Sequence, residues 1–305
     1  MKIIKFLFRE FISTSKLKLK LPYFLKKQSD VSNSLFIYFL VSSFSVRILA
    51  RVFLKYFKIK FVPIKVVYRH KFVLYFPLFA YLQHTGDLFN LYYDYYFKDF
   101  THFFKRKFTF NENDIVVDIG AHIGTFSIPL AMNNPIRVFA IEPDRINSNY
   151  LRRNIEVNSL DNRMVAIQKA IFSTTGESEF VEGDASTRGT LSTTAFSWMV
   201  SSNNRYTVET ATFRDILKSY NIDKIKLLKI DCEGAEYDIM KGFDSNIFSM
   251  IENIFIEIHQ VGDKDKDPQE LIRFIKSHGF AGDGNALDNG CFEYYFSKEA
   301  HTSVN

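Results

Sequence analysis

The sequence predicts a doubly wound α/β fold, in which a parallel sheet is covered by helices on both faces. Short apolar runs alternate with helix-length segments from Ile115 onward. These runs are almost continuously apolar, which is typical of strands that are buried on both faces. A length of 305 residues with 47% apolar residues is enough for one large globular domain and an appendage.

The core elements are predicted in a regular order. Strands are expected at DIVVDIG, IRVFAIEP and NRMVAIQKAIF, with helices at GTFSIPLAM and at DRINSNYLRRNIEVN, whose first residue Asp144 is a helix-capping type. GESEFVEG and YTVETATF predict an antiparallel excursion, and RDILKSYN a short helix. The strands IKLLKID and NIFIEIH flank a helix at GAEYDIMKGF, and a helix at PQELIRFIKSHG precedes a final strand at CFEYYFSK.

The first third of the chain has a different composition. Of the 50 aromatic residues, 30 lie before residue 111, and residues 1–60 carry a net charge of +11. Because the whole chain carries +5, residues 61–305 carry −6. We therefore divide the chain into a basic, aromatic N-terminal extension (1–60), a hairpin and aromatic helix (61–110) and the core domain (111–305).

The extension contains an apolar run from Leu35 to Val46. Twelve residues at about 1.5 Å each are too short for a hydrocarbon core of about 30 Å. The run is therefore expected to lie on an anionic membrane surface or to pack on the core domain. Two cysteines and no convincing secretory signal favour a reducing compartment, so we expect a cytoplasmic protein, peripheral at the inner membrane face if the extension binds lipid.

The segment from residue 61 to 110 contains two predicted elements. Val62 to Pro77 reads as two β-rich runs around a turn at Tyr68–Lys71. An aromatic segment begins at Gly86, and its length and boundary residue predict a helix that leads into the core domain.

A glycine turn follows the first core strand, in the pattern D-x-G-x-x-x-G formed by Asp118, Gly120 and Gly124. Ligands of such sheets bind at the carboxyl ends of the strands, and glycine lets a ligand approach the backbone closely. The G-x-G-x-x-G pattern of dinucleotide sites is absent. Glu142 ends the second strand, where a carboxylate can accept the hydroxyls of a ribose. The combination indicates an adenosine without a pyrophosphate, and S-adenosylmethionine fits this description.

Residues 110–280 resemble the FkbM-type methyltransferases in an ordered set of motifs. The chain has DIGAHIG, IEP, LRRNIEVN and KIDCEGAE, where the family typically has D-I-G-A-N-I-G, E-P, L-x-x-N-x-x-x-N and K-I-D-V-E-G-A-E. It also has TFRDIL and EIH at the corresponding places. Two departures are His122 in place of an Asn and Cys232 in place of a Val. We interpret His122 as a tolerated neighbour of the cofactor and Cys232 as a packing residue.

The resemblance implies a Rossmann-like class I methyltransferase sheet and O-methylation of a hydroxyl on a sugar, glycolipid or other small molecule. It implies S-adenosylmethionine as the cofactor, with Glu142 at the ribose and Asp231 and Glu233 facing the methyl group. The predicted cofactor-binding residues are Asp118, Gly120, Ala121, His122, Gly124, Glu142 and Pro143.

The acceptor hydroxyl must lose a proton as the methyl group moves, and His259 is the first candidate base. Its ring titrates nearest to neutral pH, and Glu257 lies on the same strand face, where it can orient the imidazole. Asp231 is the base if His259 is not, and Glu233 completes the predicted catalytic set. A sulfonium methyl is already activated and Asp231, Glu257 and His259 are an unspecific ligand set for Mg²⁺, so no metal is predicted.

Two other functions remain open from the sequence. The first is a membrane-surface binding protein whose methyltransferase-like domain has lost activity, although Asp118, Gly120 and Glu142 are all present. The second is nucleic-acid methylation, suggested by the basic extension. The aromatic strand end that stacks a flipped base is absent, since KIDCEG occupies that place, which argues against a nucleic-acid partner.

Overall fold

The computed structural model describes residues 63–68, 72–77, 104, 107–182, 189–191, 205–263, 265–287 and 291–298. The chain forms two compact units, Met1–Phe97 and Lys98–Asn305. In the first unit, β1 (Pro63–Tyr68) pairs with β2 (Phe72–Pro77) in antiparallel register, which confirms the predicted hairpin. The N-terminal extension and most of the aromatic helix predicted from Gly86 lie outside the described residues.

The second unit follows the predicted alternation of strands and helices. Its elements are β3 (Ile115–Ile119), α1 (Ser127–Asn133), β4 (Arg137–Ile141), α2 (Arg145–Val157), β5 (Met164–Ile167), β6 (Ala170–Ile171), β7 (Gly176–Glu182), β8 (Gly189–Leu191), β9 (Arg205–Ala211), α3 (Phe213–Ser219), β10 (Leu227–Ile230), α4 (Glu236–Lys241), α5 (Ser245–Met250), β11 (Asn253–His259), α6 (Pro268–Ser277), β12 (Phe280–Ala286) and β13 (Cys291–Lys298).

The main sheet has seven strands in the order β12-β13-β11-β10-β3-β4-β5. Its five adjacent strands from β11 to β5 are parallel, as the apolar runs predicted. The expectation of a wholly parallel sheet is wrong at one edge, where β13 runs antiparallel to both of its neighbours. The reason is the connection, because β12 reaches β13 through a hairpin and not through a helix.

Strand β12 escaped sequence analysis because FAGDGNA lacks the apolar and β-branched residues of ordinary strands. Its glycines are required by close packing against β13. A Cβ at Gly282 would lie 2.1 Å from the carbonyl oxygen of Tyr295, and one at Gly284 would lie 2.3 Å from that of Glu293.

Helices cover both faces of the main sheet. Apolar residues of α3, α4, α5 and α6 share one buried cluster with Val117 and Ile119 of β3. Asp118 lies between these residues and faces the other side, where its carboxylate accepts a hydrogen bond from Ser127 of α1. The sheet edge that carries the candidate site is therefore held between two helical layers.

A second sheet, in the order β6-β9-β7-β8, forms the predicted excursion, with β7 and β9 antiparallel. The predicted third strand NRMVAIQKAIF is divided between the two sheets, since β5 belongs to the main sheet and β6 pairs with β9. Asp144 caps α2 as predicted, and its side chain accepts hydrogen bonds from the amides of Ile146 and Asn147.

Candidate functional site

The candidate site lies where the order of the strands reverses. Counted within the sheet, β3 is the first strand and its neighbours are β4 on one side and β10 on the other. Ligands of doubly wound sheets bind at the carboxyl ends of the strands at such a switch point. Four adjacent parallel strands bring their ends together here, and they carry Glu142, Gly120, Asp231 and His259.

The glycine turn after β3 is shaped by contact with the next strand. Gly120 has a φ of +79°, and a Cβ there would lie 1.8 Å from the backbone oxygen of Asp231. The amides of Gly120 and Ala121 both donate to the carbonyl of Ile141, which ties the turn to β4. Residue 120 must therefore be glycine for two reasons. Its backbone is left-handed, and it touches the backbone that follows β10.

Gly124 serves a different purpose. Its φ is +90°, and a Cβ would lie 2.6 Å from Cδ1 of Ile128 and 2.9 Å from Cδ1 of Leu151. The missing side chain therefore lets α1 and α2 pack closely against the turn. Both positions require glycine because the backbone has a positive φ there, but only Gly120 also lies against the backbone of another segment.

A buried cation joins the two central strand ends. The Nζ atom of Lys229 lies 3.2 Å from Oδ1 of Asp118 and 3.4 Å from Oδ2 of Asp231, and it donates to the carbonyl of Gly120 at 3.0 Å. Burial on its own would lower the pKa of Lys229, but the charges of Asp118 and Asp231 raise it above its ordinary value. Lys229 is thus a charged support of the turn.

These contacts define the position of Asp118. Its side chain has no exposed surface, one oxygen accepts from Ser127 Oγ at 2.7 Å, and the other faces Lys229. Asp118 therefore supports the turn and has no surface open to a ligand. Sequence analysis did not single out Lys229, although a lysine in the apolar strand LLKI is a signal of a buried charge.

Glu142 is almost completely buried at the end of β4, next to Pro143. Its oxygens accept from the amides of His122 at 2.8 Å and Asp144 at 3.0 Å, and it also hydrogen-bonds the Asn147 side chain. A carboxylate has about four acceptor positions, so capacity for one further donor remains. Burial and the charge of Asp144 raise the pKa of Glu142 to about 8, against the opposing effect of these hydrogen bonds.

His122 lies in the glycine turn with a φ of +52°. Burial, followed by the charge of Lys229, lowers the pKa of His122 to about 4. The imidazole is therefore neutral at neutral pH. Cys232 agrees with its interpretation as a packing residue, because burial and then the charge of Glu236 raise the pKa of its thiol well above the ordinary value.

The end of β11 forms an acidic cluster around His259. Nδ1 of its imidazole lies 2.6 Å from Oε1 of Glu236, and Nε2 lies 3.6 Å from Glu233 and 3.8 Å from Glu257. Glu236 is fully buried and also accepts from the amide of Cys232 at 3.0 Å. The hydroxyl of Tyr237 donates to the carbonyl of His259, which fixes the strand end against α4.

This environment determines the charge of the imidazole. Burial alone would lower the pKa of His259. The charge of Glu236 has the largest opposing effect, and with the hydrogen bond to Cys291 and the charge of Glu233 it raises this pKa well above its ordinary value. An imidazole that carries a proton at neutral pH is not available to accept another. The contact of His259 with Glu257 is predicted from the sequence, whereas its shorter contact with Glu236 is not.

The topology and the site define the class of protein. If β3 is counted as strand 1 and β4 as strand 2, the parallel strands β5-β4-β3-β10-β11 have the order 3-2-1-4-5. This order defines a Rossmann-like class I methyltransferase fold, together with the antiparallel strand near one edge and the acidic residue at the end of β4. The chain belongs to the methyltransferase FkbM domain family, whose model matches residues 118–281, more than half of the sequence.

The relatives that this chain matches include three named methyltransferases. Methyltransferase sdnD of Sordaria araneosa is 25% identical over 171 residues, which cover 48% of this chain and 66% of that protein. Hexuronic acid methyltransferase AglP of Haloferax volcanii is 25% identical over 165 residues, 54% of this chain and 64% of that protein. The 31-O-demethyl-FK506 methyltransferase FkbM of Streptomyces tacrolimicus is 26% identical and matches 55% of this chain and 72% of its own.

The chain thus spans slightly less than two thirds of the first two relatives. Within the described residues, no helix combines the length and the apolar character needed to cross a membrane.

Proposed function

We propose that this protein is an S-adenosylmethionine-dependent O-methyltransferase that acts on a hydroxyl of a sugar, a glycolipid or another small molecule. One observation carries the proposal. The switch point of an FkbM-family sheet brings Glu142, the Gly120 turn and Asp231 to the ends of three adjacent strands. In this arrangement Glu142 would hold the ribose of the cofactor, the Gly120 turn would border its methionine part, and Asp231 would face its methyl group.

Glu142 is suited to the ribose. Its carboxylate is buried, retains acceptor capacity, and sits in a fixed orientation between the amides of His122 and Asp144. Gly120, Ala121 and His122 would border the methionine part, while Asp118 and Gly124 would keep that turn in place. Pro143 follows Glu142 directly and would border the nucleoside.

For the proton of the acceptor, the surroundings favour Asp231 over His259. The Asp231 side chain is about a third exposed (36%), whereas His259 is surrounded by carboxylates that keep a proton on its ring. S-adenosylmethionine, when bound, would supply an activated methyl group. The Asp231 carboxylate would accept the proton of the acceptor hydroxyl as that methyl group is transferred. Glu233 borders the acceptor beside His259.

The names of two relatives indicate which acceptors to test first. One relative is named as a hexuronic acid methyltransferase and another as a methyltransferase of a demethylated FK506, so hydroxylated small molecules are the first acceptors to examine. The basic composition of residues 1–60 adds glycolipids presented on an anionic membrane to this set.

Two measurements on the full-length chain test the proposal. Calorimetry should detect S-adenosylmethionine binding. Above pH 8, where Glu142 is ionised, Glu142→Ala should weaken this binding by about 1.5–3 kcal/mol, the range for hydrogen bonds to charged groups. A mass-spectrometric screen of hexuronic acids, neutral sugars and glycolipids should then find an acceptor that gains one methyl group. Binding without transfer to any hydroxylated acceptor would favour an inactive, methyltransferase-like membrane-surface protein, and unchanged binding in Glu142→Ala would show that the site is elsewhere.

A further inference from the structure

The antiparallel neighbour of β11, which is β13, brings metal-binding side chains together at the edge of the site. In the antiparallel register of β11 and β13, His259 faces Cys291 and Glu257 faces Glu293. Residues directly opposite one another, and residues two apart on one strand, lie on the same face of a sheet. The ligand atoms of Glu257, His259 and Cys291 accordingly lie within 4.8 Å of one another.

The orientation of His259 is that of a metal-binding histidine. Its Nδ1 is held by Oε1 of Glu236 at 2.6 Å, so Nε2 is the nitrogen left to bind, and it lies 3.8 Å from Oε1 of Glu257. Histidine ligands commonly donate their second ring N–H to a carboxylate, which fixes the ring and raises its basicity. Glu236 is fully buried and its other oxygen has no hydrogen-bond partner among the described residues.

Size and charge also fit a cation. Metal–nitrogen and metal–oxygen bonds of about 2.0–2.2 Å in a tetrahedral site place the ligand atoms roughly 3.4 Å apart. The observed 3.8 Å between Nε2 and Glu257 needs only a few tenths of an ångström to close. Three carboxylates, from Glu233, Glu236 and Glu257, lie around the imidazole. In the free protein they favour the protonated ring, and a bound metal cation would take the place of the proton on Nε2.

We propose that Glu257, His259 and Cys291 form a zinc site with a fourth position open to an external ligand. A thiolate, an imidazole and one carboxylate suit Zn²⁺, whereas Mg²⁺ and Ca²⁺ prefer sites made of oxygen atoms. Three protein ligands with an open position are the pattern of catalytic zinc sites. The sequence alone indicates only the ligand set Asp231, Glu257 and His259, because nothing local in the sequence places Cys291 opposite His259.

A role for this zinc in catalysis rests on the proposed function. His259 ends β11, which is adjacent to the β10 strand that leads to Asp231. The acceptor oxygen would then occupy the fourth position, where a bound Zn²⁺ lowers the pKa of a hydroxyl and makes it a better nucleophile. The binding of the metal is testable without any methyl transfer.

The test uses the full-length chain, stripped of metal by a chelator and titrated with Co²⁺ as a spectroscopic probe and Zn²⁺ as a competitor. We expect one equivalent of Co²⁺ with the intense visible bands of four-coordinate cobalt and a thiolate-to-cobalt charge-transfer band, both removed by Zn²⁺. Cys291→Ser should abolish the charge-transfer band and weaken Zn²⁺ binding more than about 10-fold, and Glu236→Gln should weaken it by about 10- to 100-fold while the band remains.

Cys232→Ser is the matched control, because it removes the other cysteine of the chain, which lies outside the trio. It should retain the charge-transfer band. No cobalt spectrum in the native chain, or a band lost in Cys232→Ser and kept in Cys291→Ser, would overturn the zinc site. Zinc binding without methyl transfer to any acceptor would support the site and count against the proposed function. Full methyl transfer by metal-stripped protein that binds no zinc would support the proposed function and overturn the zinc site.

Discussion

The Nζ atom of Lys229 lies 3.2 Å from Oδ1 of Asp118, directly across the register of two parallel strands. Both side chains are buried, and the same ammonium group also holds the carbonyl of Gly120. A buried ion pair of this kind stabilises little in total, but loss of one partner leaves an uncompensated charge. Lys229 therefore connects the stability of the sheet to the shape of the candidate cofactor turn.

Lys229→Met should destabilise the protein by about 3–5 kcal/mol, measured by denaturant unfolding, because it leaves Asp118 buried without a cation. The double variant Lys229→Met with Asp118→Asn should recover a large part of that loss, since neither charge is then present. Equal stability of the single and double variants would contradict the ion pair as the cause of the effect.

Gly120→Ala should be far more damaging than an equivalent change elsewhere. Gly279 is a matched control, because its φ of +82° is close to the +79° of Gly120 but a Cβ there would meet nothing within 4 Å. Gly279→Ala should cost about 1–2 kcal/mol for the left-handed backbone alone. Gly120→Ala adds the collision with the Asp231 oxygen and should also abolish S-adenosylmethionine binding in calorimetry. Similar losses in the two variants would show that the contact with Asp231 is unimportant.

The strands of the main sheet and the edge where their ends meet are predictable from the sequence. The apolar run NIFIEIH predicted β11 with the bounds observed, and the carboxyl ends of parallel strands predicted that Gly120, Glu142 and Asp231 meet at one edge. These predictions succeed because burial on both faces leaves a continuous local pattern.

Other features depend on contacts between distant segments. Glu236 meets His259 through the packing of α4 against β11, and Cys291 meets it through the antiparallel register of β13 with β11. Neither pairing leaves a periodic signal in either segment. Strand β12 itself was missed because glycines at 282 and 284, which its tight packing requires, disfavour a strand on local propensity.

Binding of a ribose to Glu142 should depend on pH. Its pKa of about 8 means that the carboxyl is largely protonated at pH 7 in the free protein, while ribose hydroxyls donate to the ionised form. Affinity should therefore rise up to about 10-fold per pH unit towards pH 8 and level off above it. Methylthioadenosine is a suitable calorimetric probe because it has a ribose but no titrating amino acid. Glu142→Gln should remove the dependence, and a pH-independent affinity of the native chain would contradict the prediction.

The basic extension should bind anionic vesicles in a salt-dependent way. Residues 1–60 carry a net charge of +11, and each basic residue near such a surface contributes about 1 kcal/mol at low ionic strength. In sedimentation with phosphatidylserine vesicles, replacement of Lys16, Lys18 and Lys20 by Gln should weaken binding of the full-length chain by up to about 100-fold at low salt. Equal sedimentation of both proteins at low and high salt would contradict the membrane interpretation and favour packing of the extension on the core domain.

The last prediction separates the two candidate bases. Asp231→Asn keeps the size of the side chain but removes the carboxylate that would accept the proton, so turnover should fall by about 10²- to 10⁴-fold. His259→Gln should have a smaller effect on turnover in protein without added metal, because the native imidazole is already held as a cation by Glu236. Both variants are compared at saturating acceptor, with S-adenosylmethionine affinity measured separately by calorimetry.

The affinity measurement is the control for this comparison. Asp231 contacts Lys229, so a variant that merely disturbs the Gly120 turn would lose cofactor affinity together with turnover. A fall in turnover with cofactor affinity changed less than about 10-fold identifies a role in the chemical step. If Asp231→Asn retains near-normal turnover and His259→Gln loses it, the base is His259, and the proton that its acidic neighbours hold on the ring must leave before the methyl group moves.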